Sequence, residues 1–195
     1  MVEPVVRICA VIAGRAEWSD AGIGLLTRHW GQIVRRSPPV PFEAGGFYTP
    51  TMGPNLTKTL VAFETYDDPA GLANWKTQTN IWEADLAFEL DADVDRPVNL
   101  DVGYLTQAKL VLATIKDRDH RLYLRDGIFA EVTLNYVAGK WVHHRWTYPS
   151  YRTEPVAEFA MGCRDRLREH LLTTGQIRSA AGPSNSQPTD EIERP

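Results

Sequence analysis

Cysteine is scarce in this chain. Two occur in 195 residues, Cys9 and Cys163, far apart and each among apolar neighbours, with neither a CxxC pair nor a zinc-like spacing. That excludes a disulfide framework and leaves two reduced core thiols. Long apolar runs are missing too: nothing approaches the roughly 18 residues a membrane span needs, so no membrane partner is expected. Strong charge of one sign is also lacking. A formal net charge of −4 draws the chain to neither nucleic acid nor anionic lipid, although local basic patches are compatible with it. The common catalytic signatures are absent: no GxxxxGK[ST], no GxGxxG after a strand, no HExxH and no GxSxG. The paired HxT motifs of two-histidine phosphoesterases are missing as well, and Ile115–Lys116–Asp117 lacks the spacing of a guanine-reading element. No motif names a cofactor, and His143 and His144 would point to opposite faces of a strand, so no metal site is indicated.

What is present reads as one globular α+β domain over residues 1–172. The remainder, 173–195, is poor in large apolar groups and is expected to be a disordered tail. The N-terminal segment carries an acid at Glu3 and only a short apolar run, so it reads as a first strand rather than a signal peptide, and a cytoplasmic location is expected. Val5–Ala13 is that buried strand, bounded by Pro4 and Gly14. A helix follows at Ala16–Trp30, with Trp18, Gly22, Leu25, Leu26 and His29 on one stripe and Gly31 just past its end. Gln32–Arg36 is a short strand that Pro38, Pro39 and Pro41 confine to a sheet edge. A Gly- and Pro-rich loop over Phe42–Asn55 leads to a strand at Thr57–Thr65. Asp68 and Pro69 start a helix whose apolar face is Leu72, Trp75, Thr79, Trp82, Leu86 and Leu90.

A strand at Val98–Leu105 completes the order βαββαβ, that of a ferredoxin-like core. Antiparallel strands at Lys109–Ile115, His120–Leu124 and Ile128–Tyr136 extend it, and a C-terminal helix fits Pro155–Leu172. The stretch from Arg96 to Tyr136 is the densest in polar side chains set at period two. Two registers compete around Asp126–Gly127. A three-residue loop with Gly127 left-handed pairs Arg121 with Glu131 and Leu122 with Ala130 and sorts the faces best. It turns Ile128, Ala130, Val132 and Leu134 to the core and Phe129, Glu131, Thr133 and Asn135 outward.

Two readings of that polar face stand side by side. One is a solvated cross-strand ion pair worth under about 1 kcal/mol. The other is a binding surface on which Asn99, Asp101, Arg121, Glu131 and Thr133 converge, with Lys109 and Arg121 holding a small anion or nucleotide-like ligand. In an enzymatic variant His120 is the acid or base acting on a phosphate- or carboxylate-bearing substrate. Trp146, Tyr148, Tyr151 and Arg152 either cap a pocket, cover the core, or serve an RNA-associated or protein-interaction module.

The block NLDVGYLTQAKLVLATIKDRDHRLYLRDGIFAEVTLNY, the later WTYPSYR and the earlier GFYTPTMGPNLTKTLVAFE together resemble one bacterial family, the domain of unknown function 4416. The resemblance spans roughly residues 5–170. Val102 stands where that family usually has proline, and Ile115 replaces a common threonine. The family brings no activity to carry over, so the resemblance implies kinship without chemistry.

Overall fold

The computed structural model describes residues 2–43 and 45–176, so the expected tail from 177 onward lies outside the described residues. β1 (Val5–Ala13) is buried along its whole length, as nine residues carrying a single charge, Arg7, require. It is followed by α1 (Ala16–Trp30), β2 (Ile33–Arg36), the two-residue β3 (Val40–Pro41) and a single helical turn, α2 (Thr49–Met52). Then come β4 (Thr57–Asp67), α3 (Leu72–Glu89), β5 (Val98–Leu105), β6 (Lys109–Thr114), β7 (Leu122–Arg125), β8 (Ile128–Val137), β9 (Lys140–His143) and α4 (Glu154–Thr174). The fold is α+β, built on one large antiparallel sheet in the order β2-β4-β1-β5-β6-β8-β7, with β3 on β4 and β9 on β8.

Both faces of the sheet are covered. On one, α1 and α3 pack Trp18, Leu26, Leu72 and Leu86 against Val11, Phe63 and Leu100. On the other, α4 packs Phe159, Leu167 and Leu171 against Ile8, Leu60 and Leu110. A third cluster, Ile12, Phe42, Met52 and Leu56, seats the loop after β3 over the end of β1. Each face removes apolar surface from water at about 25 cal/mol per Å², which is what fixes the layers.

Several expectations need correcting. Asp68 does cap a turn, accepting from the Ala70 N–H at 2.8 Å, but the turn is 3₁₀ over Pro69–Gly71 and the α-helix proper begins at Leu72. His29 is exposed, stacked on Trp82, and Trp30 takes the buried place on the stripe of α1. The β7–β8 hairpin has the expected pairing of Leu122 with Ala130, reached by a different turn. Arg125 pairs with Ile128 across a two-residue turn in which both Asp126 (φ 54°) and Gly127 (φ 74°) are left-handed. A bulge between Tyr123 and Arg125 absorbs the extra residue. A second bulge between Leu110 and Val111 shifts β8 on β6, so Leu134 turns to the α4 face while Val132 stays with α3. The C-terminal helix runs two residues past its expected end, to Thr174, because the Thr173 and Thr174 hydroxyls donate back to the carbonyls of Glu169 and His170.

Candidate functional site

The site arises where the sheet forks. β5 and β6 pair only over Gly103–Leu105 and Leu110–Leu112. A side chain at Gly103 would overlap the Val111 carbonyl, so this close approach depends on glycine. Beyond it the strands part, and the first half of β5 has no strand on that side. Its backbone still needs partners. Helix α3 supplies them: Lys76 Nζ donates to the Leu100 carbonyl at 3.0 Å, and the Leu100 N–H donates to Glu83 Oε1 at 2.8 Å. Glu83 also pairs with Lys76 at 3.6 Å and with the guanidinium of Arg96, which reaches on to Asn99.

The fork holds a partly open cavity of about 110 Å³, room for several waters or one small molecule. Asn99 and Asp101 of β5 line it, with Leu112–Thr114 of β6, the following Ile115 and Lys116, and Arg121 and Glu131. Lys76 and Asn80 come from α3, Arg96 from the segment before β5, and Lys58 from β4. Phe42, Tyr48, Tyr148 and Tyr151 supply aromatic walls. Five cationic side chains therefore meet two lining carboxylates. A larger hollow along Pro41–Thr57 is a shallow loop surface that shares Phe42 and Tyr48 and has no cation.

At one end three cations converge. Burial lowers the Lys116 pKa, and the positive charges of Arg96 and Arg121 lower it further. Arg121 donates through Nε to Glu131 at 2.9 Å and through Nη1 to the Lys116 carbonyl at 2.7 Å, leaving Nη2 without a partner among the described residues. Arg96 uses Nε and Nη2, which leaves Nη1. The Lys116 ammonium lies over the Phe47 ring, 4.3 Å from its centroid, and has no ion pair among the described residues.

At the other end is Lys58, 0 % exposed. Its Nζ donates to Ser150 Oγ at 2.6 Å and sits 3.5 Å from the centroid of Tyr151. Burial pushes the amine down to about 7, and the carboxylate of Asp101 offsets part of that fall. Asp101 itself makes no side-chain hydrogen bond or ion pair among the described residues. Burial first and Asp101 second raise the pKa of Tyr151, and of Tyr48 to about 12.

Glu131 is held from behind. His120 Nε2 lies 3.0 Å from Glu131 Oε2, and His120 Nδ1 lies 2.9 Å from Asp119 Oδ1. The imidazole stacks on Trp146 at 5.0 Å, and Trp146 is fixed by its indole N–H donating to the Val132 carbonyl at 2.9 Å. Hydrogen bonds from His120 and then from Arg145 hold the exposed Asp119 down to about 2.

Of the residues expected from sequence, Asn99, Asp101, Arg121 and Glu131 do share the cavity. The Arg121–Glu131 pair is not on a solvated face; its side chains are 7 % and 4 % exposed. Thr133 is buried behind Glu131, donating to it at 3.4 Å, and His120 is likewise a backing group rather than a wall. Lys109 does not belong. It opens β6 at the opposite end from Thr114, five residues away, or about 16 Å at the rise of a strand. It lines a separate groove with Glu3 and Pro69. Tyr148 and Tyr151 cap the cavity, while Arg145 binds Asp119 and Arg152 donates to the Thr147 carbonyl at 2.8 Å. Among the described residues no cluster of histidine, cysteine and acid side chains is arranged to hold a metal ion, and no helix is long and apolar enough to cross a membrane.

Sequence reasoning missed Lys58, Lys76, Glu83 and Arg96. Two of the signals were there. Lys58 shares strand parity with Leu60 and Ala62, and Lys76 and Glu83 fall at 3–4 spacing with Leu72, Thr79 and Leu86. The family model described as Domain of unknown function (DUF4416) matches residues 3–167, well over half of the chain, and the protein belongs to that family. No curated protein and no solved structure matches the chain.

Proposed function

We propose that this protein is a small-ligand binding or regulatory domain whose ligand carries a phosphate or carboxylate group. The observation that carries the reading is the convergence of Lys116, Arg96 and Arg121 on one end of a partly open cavity, each with donors that no protein group takes. Two guanidinium edges and an ammonium form a fork suited to a planar or tetrahedral anion. The mutual repulsion of these cations is relieved when an anion binds, so occupation stabilises the fold. The strand order and the two helices on one face support a ferredoxin-like name for the core. The two buried thiols, whose pKa values burial raises, agree with a reducing, cytoplasmic setting.

Calorimetric titration with inorganic phosphate, pyrophosphate and citrate tests the reading. At least one should bind, weakening steeply with salt, and Lys116→Gln should lower its affinity by about tenfold, the loss of one charge-assisted contact. Absence of binding by all three anions, or an unchanged affinity in Lys116→Gln, counts against the site.

The chain Asp119–His120–Glu131 favours a second reading, an enzyme acting on the same class of substrate. Glu131 would meet the substrate, and His120 would orient it and connect it to the surface. In that case His120→Gln abolishes turnover while leaving phosphate affinity in place; loss of both together would reduce His120 to a structural support.

A further inference from the structure

The anion reading leaves two polar groups of the same cavity unanswered. Asp101 presents a carboxylate with no protein partner among the described residues, and the Tyr151 hydroxyl is buried without any hydrogen bond. A buried polar group with no partner costs free energy, and a carboxylate beside a bound anion repels it. Both penalties disappear when the ligand itself supplies a group that can donate to Asp101 and accept from Tyr151. An ammonium can donate but cannot accept, and it would enter a space already occupied by Lys58, Lys116 and Arg96. A hydroxyl does both and adds no charge.

We propose that the ligand is a hydroxylated anion, such as a polyol phosphate or a hydroxy acid, with one hydroxyl bridging Asp101 and Tyr151 while its anionic group lies on Lys116, Arg96 and Arg121. This rests on the anion reading and narrows it to a chemical class. Asp101 is then the specificity-determining residue: unfavourable to a bare anion, favourable to a hydroxylated one.

The decisive experiment compares sn-glycerol 3-phosphate with n-propyl phosphate, two esters of nearly equal size that differ in their hydroxyls, by calorimetry at fixed salt. The full chain should bind the glycerol ester at least about tenfold tighter, the worth of one hydrogen bond to a charged group. Asp101→Asn should shrink that ratio towards one while binding n-propyl phosphate as tightly as the parent or tighter. Tyr151→Phe should narrow the ratio in the same direction, which keeps the test intact if one variant folds poorly. Equal affinity of the parent for both esters overturns the proposal, as does an Asp101→Asn variant that tightens both by the same factor, since Asp101 would then only balance the cations. Tighter binding of phosphoethanolamine than of the glycerol ester overturns the choice of a hydroxyl. Failure of both esters and of inorganic phosphate removes the anion reading itself, whereas phosphate binding without discrimination removes only the selectivity.

Discussion

Two buried lysines line one cavity and are treated in opposite ways. Lys76, 4 % exposed, has a carboxylate at 3.6 Å, a backbone carbonyl at 3.0 Å, and through Glu83 a second cation in Arg96. Lys58, 0 % exposed, has one neutral hydroxyl and the faces of two rings, Tyr151 and Phe42. The first cluster has a job in the fold: it replaces the missing strand beside Leu100, so Lys76 has both a carboxylate and a backbone carbonyl, and both Glu83 oxygens have donors. The second does nothing for the sheet that an apolar side chain would not do as well. Charge buried without a carboxylate partner destabilises a fold, and such groups cluster where a protein binds or reacts. The contrast separates scaffold from site within the wall of one cavity.

The largest effect should come from the scaffold side. Glu83→Gln strips the counter-ion from Lys76 and Arg96 at once and leaves both partly or fully buried. The expected cost is about 3–5 kcal/mol, a fall in Tm of roughly 10 °C for a chain of this size. Thermal unfolding followed by circular dichroism reads it directly. A loss below about 1 kcal/mol would mean that the pairing is incidental, and the contrast with Lys58 would collapse.

Lys58→Met should do the reverse. The folded amine titrates near 7, well below its ordinary 10.5. Between those values the unfolded chain binds the extra proton, so the stability of the parent rises with pH through this window, and the burial penalty is at its fullest at pH 7 and below. Tyr151, whose ring face attracts the ammonium, works against burial without cancelling it. The methionine variant should therefore lose the pH dependence between 7 and about 10 and match or exceed the parent at pH 6, by about 1–2 kcal/mol. Denaturant titrations at several pH values measure both. A variant several kcal/mol less stable than the parent would place Lys58 with Lys76 as scaffold.

The same division explains how far the sequence could be read. Strand periodicity located β1 and β5 to the residue, and parity put Asn99 and Asp101 on one side and set Arg121 against Glu131. These are local or nearest-strand relations, which a period of two encodes. The cavity depends on longer-range facts. It needs β5 and β6 to part after three paired residues, α3 to reach across the gap, and the loop before β4, carrying Phe42 and Tyr48, to add aromatic walls. No spacing rule announces a fork, so in the sequence Arg96 marks only the start of the polar stretch and Lys116 only a position just past a strand. Lys109 does stand at a strand end, where function is often carried, but at the end of β6 remote from the cavity.

The smallest expected effect, a change of about 1 kcal/mol with pH in the worth of one hydrogen bond, sharpens the comparison most. Ser150→Ala removes the one hydrogen-bond partner of Lys58 and nothing else in the cavity wall. A hydroxyl accepting from an ammonium is worth about 1.5–3 kcal/mol, and from a neutral amine about 1 kcal/mol. The cost of Ser150→Ala should accordingly fall as pH rises from 6 to 9, because the amine it serves loses its charge within that interval. In the Lys58→Met background the pH dependence of the serine substitution should vanish, as a double-mutant cycle at the two pH values would register. A cost that stays the same across the interval would mean that Lys58 does not titrate there and remains charged, in which case Tyr151 and Ser150 together do for this lysine what Glu83 does for the other.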